Sequence, residues 1–309
     1  MGARKLPAFP DSRNGFAMPA AYPLICLLLW FISPLGAAEE APPADAGQAA
    51  ERVTPESAQT RFNRELITRY QGSDLVELPS AEGNFIALYQ ARRSSRDRGG
   101  VILLAAPGQH ADWPQLVAPL RDALPDQGWH SLSLAPPPLP APTPPEAAET
   151  DSASGEAGKS VEQSLRREAQ QAYQRWLGGR INSASEHLTS LGISHQVLLL
   201  VGGSAAPAMA TLAEQKSPWA ALVLINAEND PEGNLIKQLE QFPTLTLDLH
   251  YGQQQQEPAS ERLAAARRAN NNHYFSRPLE GPQNDTEASG SRLLKAVGSW
   301  LNRYPGGPR

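Results

Sequence analysis

A chain of 309 residues with 40% hydrophobic and 6% aromatic content has room for one large domain or two small ones, and its core must be mainly aliphatic. A formal net charge of -5 with no basic stripe excludes a phosphate-backbone binder, so nucleic acid is not an expected partner. The single cysteine, Cys26, excludes an intramolecular disulfide and a multi-cysteine zinc site, while 29 prolines and 24 glycines assign part of the chain to loops and linkers.

Cys26 lies in the apolar run Leu24 to Ile32, shorter than the about 20 residues of a membrane span. Arg4, Lys5 and Arg13 precede it and Gly36-Ala37-Ala38 follow, which is the three-part pattern of a signal peptide cleaved after Ala38. Residues 1–38 are therefore expected to be removed on export, to the periplasm, leaving a mature chain without a transmembrane segment. An uncleaved N-terminal anchor is the other reading of the run. Ile25 stands where a lipoprotein signal has a small residue, which argues against a lipid on Cys26. Translation from Met1 and from Met18 both remain open. Residues 39–58, rich in Ala, Pro, Glu and Gln and free of aromatics, read as a disordered leader.

Arg61 to Tyr70 reads as a short helix, and Leu75 to Leu78 with Phe85 to Gln90 as a hairpin pair around Ala81-Glu82-Gly83-Asn84. Val101 to Ala105, apolar throughout, is a strand expected to be covered on both faces. A helix over Trp113 to Leu124 ends before Gly128, and a strand follows from Trp129 to Leu134. Pro136 to Ser160 begins with a proline-rich stretch and continues in Ala, Glu, Ser and Gly; it reads as a low-complexity, disordered insertion. A PxxP ligand for a partner domain is a second reading of that stretch. A helix over roughly Ser160 to Leu177 is expected next, then strand Val197 to Val201 and helix Ala205 to Leu212. Strands Ala221 to Ile225, Leu245 to Leu249 and His273 to Ser276 and a final helix Ser291 to Leu301 complete the alternation. The pattern predicts an α/β fold, a mainly parallel sheet with helices on both faces, in a single domain over 59–303. Without signal, leader and insertion, roughly 225 residues remain, a suitable size for one domain.

Between strand Val197 to Val201 and its helix stands Gly202-Gly203-Ser204-Ala205-Ala206, a G-x-S-x-G turn with alanine in the last place. On this turn the chain resembles the α/β-hydrolase superfamily over most of Leu75 to Arg303. More narrowly, Pro107-Gly108-Gln109-His110-Ala111-Asp112-Trp113-Pro114, with Leu120-Arg121-Asp122-Ala123-Leu124-Pro125 and Gly128-Trp129, resembles an uncharacterised family of exported, hydrolase-like Gram-negative bacterial proteins. The resemblance implies Ser204 at the nucleophile position and the backbone amides of Ala205 and Gln109 as oxyanion donors. The loop after the last strand, Glu280 to Glu287, contains no histidine, where a serine hydrolase normally has its base. Of the six histidines, His110 is the one whose loop leaves the sheet on the side of Ser204. Glu228 and Asp230, after strand Ala221 to Ile225, are candidate acids, and Glu257 follows Gly252. Asp248 points sideways from its strand, and no metal or nucleotide motif is present, so no cofactor or metal is expected. Two functions stay open: a catalytically degenerate hydrolase fold with a binding or envelope-associated role and an envelope partner, and a serine ester hydrolase using Ser204 with a displaced base such as His110.

Overall fold

Among the described residues eight strands form one sheet: β1 (Leu75–Leu78), β2 (Phe85–Gln90), β3 (Gly99–Leu104), β4 (Trp129–Leu134), β5 (Gln196–Val201), β6 (Ala221–Ile225), β7 (Thr246–Tyr251) and β8 (Tyr274–Leu279). Their spatial order is β1-β2-β4-β3-β5-β6-β7-β8. The computed structural model describes residues 57–70, 72, 74–140, 156–214, 219–241, 244–280 and 286–304. The expected signal peptide, almost all of the leader and positions 141–155 of the insertion lie outside them. Only β2 runs against its neighbours; β3 to β8 pair in parallel. β3 lies between β4 and β5, so the chain passes from β3 to β4 on one side and then crosses back to β5 on the other, which makes the β3/β5 border the switch point of the sheet.

Among the described residues seven α-helices, α1 (Ala58–Arg69), α2 (Val117–Ala123), α3 (Glu156–Ser190), α4 (Ala205–Glu214), α5 (Asn234–Gln241), α6 (Gln256–Arg268) and α7 (Thr286–Arg303), accompany the sheet. Strand residues alternate between its two faces. Ile102, Leu104, Leu198 and Leu200 pack with Leu177, Ile181, Ala184 and Leu188 of α3 and with Ala208 and Met209 of α4. Val101, Leu103, Val197 and Leu199 pack on the opposite face with Leu120 of α2 and Leu293, Val297 and Trp300 of α7. Burial on both sides is why β3, β5 and β6 read as unbroken apolar runs. The expected mainly parallel sheet with helices on both faces is the fold this chain forms.

The boundaries differ in instructive places. α3 runs to Ser190 rather than Leu177, because its buried positions 177, 181, 184 and 188 keep helical spacing through Gly178 and Gly179. α2 starts at Val117 rather than Trp113: Leu116 has a non-helical φ of -130, and the Trp113 carbonyl accepts from Val117 and Ala118 instead. α5 and α6 were not foreseen. β8 continues through Pro278, which a strand tolerates at the edge of a sheet.

α6 is anchored by a charge rather than by large apolar groups. Arg262 and Asp248 are both fully buried, with Nε donating to Oδ2 at 3.0 Å and Nη2 to Oδ1 at 3.1 Å. Arg262 Nη1 also donates to Ala227 O at 2.7 Å and to Asn229 Oδ1 at 2.9 Å, and the Tyr274 hydroxyl donates to Asp248 Oδ2 at 2.7 Å. One bidentate pair thus joins β7, β8, α6 and the loop after β6. Replacing Arg262 by methionine leaves the Asp248 carboxylate buried without its cation. A loss of about 3–5 kcal/mol is expected, read as a lower urea midpoint.

Burial lowers the pKa of His110, His130, His187 and His250 from the usual 6.5. As pH falls, the unfolded chain therefore takes up these protons before the folded one does. The stability conferred by the neutral rings is fully present above the unfolded value and is lost as pH falls from there through the folded values. Urea unfolding between about pH 7.5 and pH 5 should show stability declining toward acid, and a flat profile would show that the rings titrate as they do in the unfolded chain.

Candidate active site

β5 is buried on both faces, and α4 begins only three residues after its end, so the chain must turn within Gly202-Gly203-Ser204. The sharp step is taken at Gly202, which has φ +58; Ser204 is not among the residues of positive φ. A Cβ at position 202 would lie 3.2 Å from Ala106 Cβ and 3.9 Å from Glu228 Oε1, so side-chain bulk and left-handed strain both favour glycine there. Ser204 comes after the step, in a short 3₁₀ turn, and is fully buried. Its hydroxyl donates to Ala105 O at 2.5 Å, tying the elbow to the end of β3.

The two amides expected to hold an oxyanion have partners of their own. Ala205 N–H donates to Gly202 O and closes the 3₁₀ turn, while Gln109 N–H donates to Ala106 O at 3.0 Å. The Gln109 side-chain oxygen accepts from Ala106 N–H at 3.2 Å, so this residue folds its own loop.

His110 is in the loop leaving β3 but is not joined to Ser204. Its Nδ1 accepts the Asp112 N–H at 3.1 Å, which places the neutral ring's proton on Nε2, and the ring packs between Phe62 of α1 and Trp113, with centroids 5.2 and 5.4 Å away. Burial is the first cause of its lowered pKa, opposed by the nearby charges of Glu65 and Asp112. His250 is also buried, with no hydrogen-bond partner on Nδ1. His130 and His187 belong to the opposite end of the sheet, where the Tyr89 hydroxyl contacts His130 Nδ1 at 2.8 Å.

The candidate acids separate. Glu228 is exposed and reaches back over the elbow: its Oε2 is 3.2 Å from where a Gly203 Cβ would stand, and its N–H donates to Gly202 O at 3.4 Å. Asp230 instead caps α5, accepting from the amides of Asn234 at 2.9 Å and Leu235 at 2.8 Å. Glu257 lies in the first turn of α6 and, with Glu228, Glu261, Asn229, Gln255 and Pro258, lines a cleft of about 450 Å³. Among the described residues no group of three or more His, Cys, Asp or Glu is arranged to hold a metal ion.

Sequence reasoning missed a second buried polar network in the β3 loop. Asp112 Oδ2 accepts from the Tyr70 hydroxyl at 2.7 Å and from Arg69 Nη1 at 3.1 Å. Arg121 Nη2 donates to the Tyr70 oxygen at 2.8 Å and stands 3.0 Å from Asp112 Oδ1. The proximity of Asp112 to His110 in the sequence was a signal, but nothing local brings Tyr70 to it.

Comparison with solved structures gives the fold an independent footing. The chain is similar to the esterase domain of a Rhodothermus marinus protein, at 15% identity over 75% of this chain and 99% of that one, with a TM-score of 0.50. It is similar to a dienelactone hydrolase from Anabaena variabilis, at 12% identity over 74% and 96% and a TM-score of 0.51. An esterase from Pyrococcus furiosus aligns at 11% identity over 75% and 90%, with a TM-score of 0.52. At such identities the likeness is one of fold. A comparison with curated protein sequences finds no match. The model of one family, described as protein of unknown function (DUF3530), matches residues 21–303, the same span that holds the β3 loop, the elbow and all eight strands. With an α/β-hydrolase fold and that match over most of its length, the chain belongs to the DUF3530 family.

Proposed function

We propose that this protein is exported to the periplasm and works there, in association with an envelope partner, as a binding module on a hydrolase scaffold whose catalytic site is degenerate. The observation that carries this reading is the elbow. A serine nucleophile needs a base about 2.6–3.2 Å away, whereas the buried Ser204 hydroxyl has a carbonyl oxygen as its partner. The position that takes the left-handed step is Gly202, which has no side chain to offer.

Electrostatics supports the same reading. Acyl transfer develops negative charge beside the elbow, and there Glu228 reaches over Gly203 while Glu257 and Glu261 line the adjoining cleft. Three carboxylates with the carboxamides of Asn229 and Gln255 suit a cationic or amide-bearing ligand better than an ester passing through an oxyanion. The alternative, a serine ester hydrolase pairing Ser204 with His110, requires both side chains to leave their present partners and the Gln109 and Ala205 amides to open their turns.

The folded protein should resist labelling by a fluorophosphonate probe and should turn over short acyl esters no faster after addition of intact protein than after addition of its Ser204→Ala variant. Labelling at Ser204 together with turnover lost in Ser204→Ala would overturn the degenerate reading in favour of the hydrolase. Export rests on the three-part pattern ending at Ala38. N-terminal sequencing of protein recovered from the periplasmic fraction should begin near Glu39; full-length protein in the cytosol would refute export.

A further inference from the structure

α1 differs from the other helices in how little of it the fold buries. Leu66 is its one buried apolar residue, resting on Leu88 and Ala111 with Tyr70, Leu75 and Ile86 beside it, while Ile67 is half exposed. Ser57 caps the helix by accepting from Thr60 N–H at 3.1 Å, but a helix of 12 residues is marginal on its own in water and depends on tertiary contacts to persist. Most of those contacts are polar and gather at its C-terminal end.

There, the Tyr70 hydroxyl stands between a buried carboxylate and a buried guanidinium, donating to Asp112 at 2.7 Å and accepting from Arg121 at 2.8 Å, with the Arg121 guanidinium 4.7 Å over its ring. Arg69 adds a bond to Asp112 from the exposed side. The pair beneath is incompletely satisfied: Arg121 Nε and Nη1 are buried without hydrogen-bond partners, and Asp112 Oδ1 has only its ion-pair contact with Arg121 Nη2 at 3.0 Å. Closing the helix over this pair thus leaves two guanidinium nitrogens desolvated and unpaired, and letting water in would satisfy them. At the other end of α1, Phe62 covers His110.

We infer that α1 is a strap over the β3 loop, released by local opening at the Tyr70 latch without unfolding of the sheet. Few buried apolar groups and a latch that hydration would satisfy are the marks of a segment that opens below the global stability. Opening uncovers His110, on which Phe62 rests, and Asp112 in the loop that leaves β3, so access to that loop is governed by a helix contributed from the N-terminal side of the fold. This holds whether the elbow is catalytic or degenerate.

Native-state hydrogen exchange on the full chain tests it. The amides of α1 should exchange faster than those of β3 and β5. Tyr70→Phe should raise the α1 rates a further about ten- to a hundredfold, as expected for losing hydrogen bonds to charged groups, with β3 and β5 unchanged. Arg69→Gln, at a side chain more than half exposed, should give a smaller rise confined to the same helix and keeps the test decisive should Tyr70→Phe fail to fold. Equal acceleration of α1 and the central strands, or no change in α1 with either substitution, would overturn the strap.

Discussion

The chain has three residues in which to leave a strand buried on both faces and enter a helix that covers one of them. That constraint at Gly202-Gly203-Ser204 fixes much of what surrounds it. A left-handed step is needed, and its positive φ together with the close approach of Ala106 favours glycine there. Once the step falls at 202, Ser204 is carried one turn inward, its hydroxyl finds the Ala105 carbonyl, and Ala205 completes a 3₁₀ turn. The space above the elbow is then bounded by the backbone of Gly203 and the carboxylate of Glu228. Small residues throughout this turn let its backbone close against the end of β3.

Two buried arginine–aspartate pairs show how the same chemistry gives opposite mechanical results. Around Asp248 and Arg262, both carboxylate oxygens are bonded and three further partners complete the network, so breaking it exposes charges that have nowhere better to go. Around Asp112 and Arg121, two guanidinium nitrogens are left without partners and the bridging hydroxyl belongs to a helix with little else to hold it. The first pair ties α6 into the sheet; the second fastens α1 reversibly.

The central strands were legible because Val101 to Ala105, Val197 to Val201 and Ala221 to Ile225 are apolar at every position, a pattern that double-sided burial demands. α6 was not, because its buried face is made of Ala259, Ala265, Ala266 and an arginine, and begins in a glutamine tract that reads as loop. α3 continues past Leu177 through two glycines, and Gly178 brings the helix close to Thr211 of α4, where a Cβ would lie 3.1 Å from that side chain. At the site, the elbow motif showed where the turn is but not which residue takes the strained step. His110 and Asp112 stand in the loop that leaves β3, but the contacts that reach them from the first helix, Phe62 on His110 and Tyr70 on Asp112, come from far along the chain and leave no local pattern.

The last strand carries a consequence for how this protein meets its own copies. His273 O accepts from Thr246 N–H, so alternate residues from His273 onward turn their backbone groups toward β7, and those between, Pro278 among them, face outward. A strand arriving from another molecule would find no donor at Pro278, the last outward-facing position of β8. The opposite border, β1, is four residues long. Sheet-to-sheet growth is discouraged at both borders, by a missing hydrogen on one and by lack of length on the other, which keeps an eight-stranded sheet from seeding aggregates.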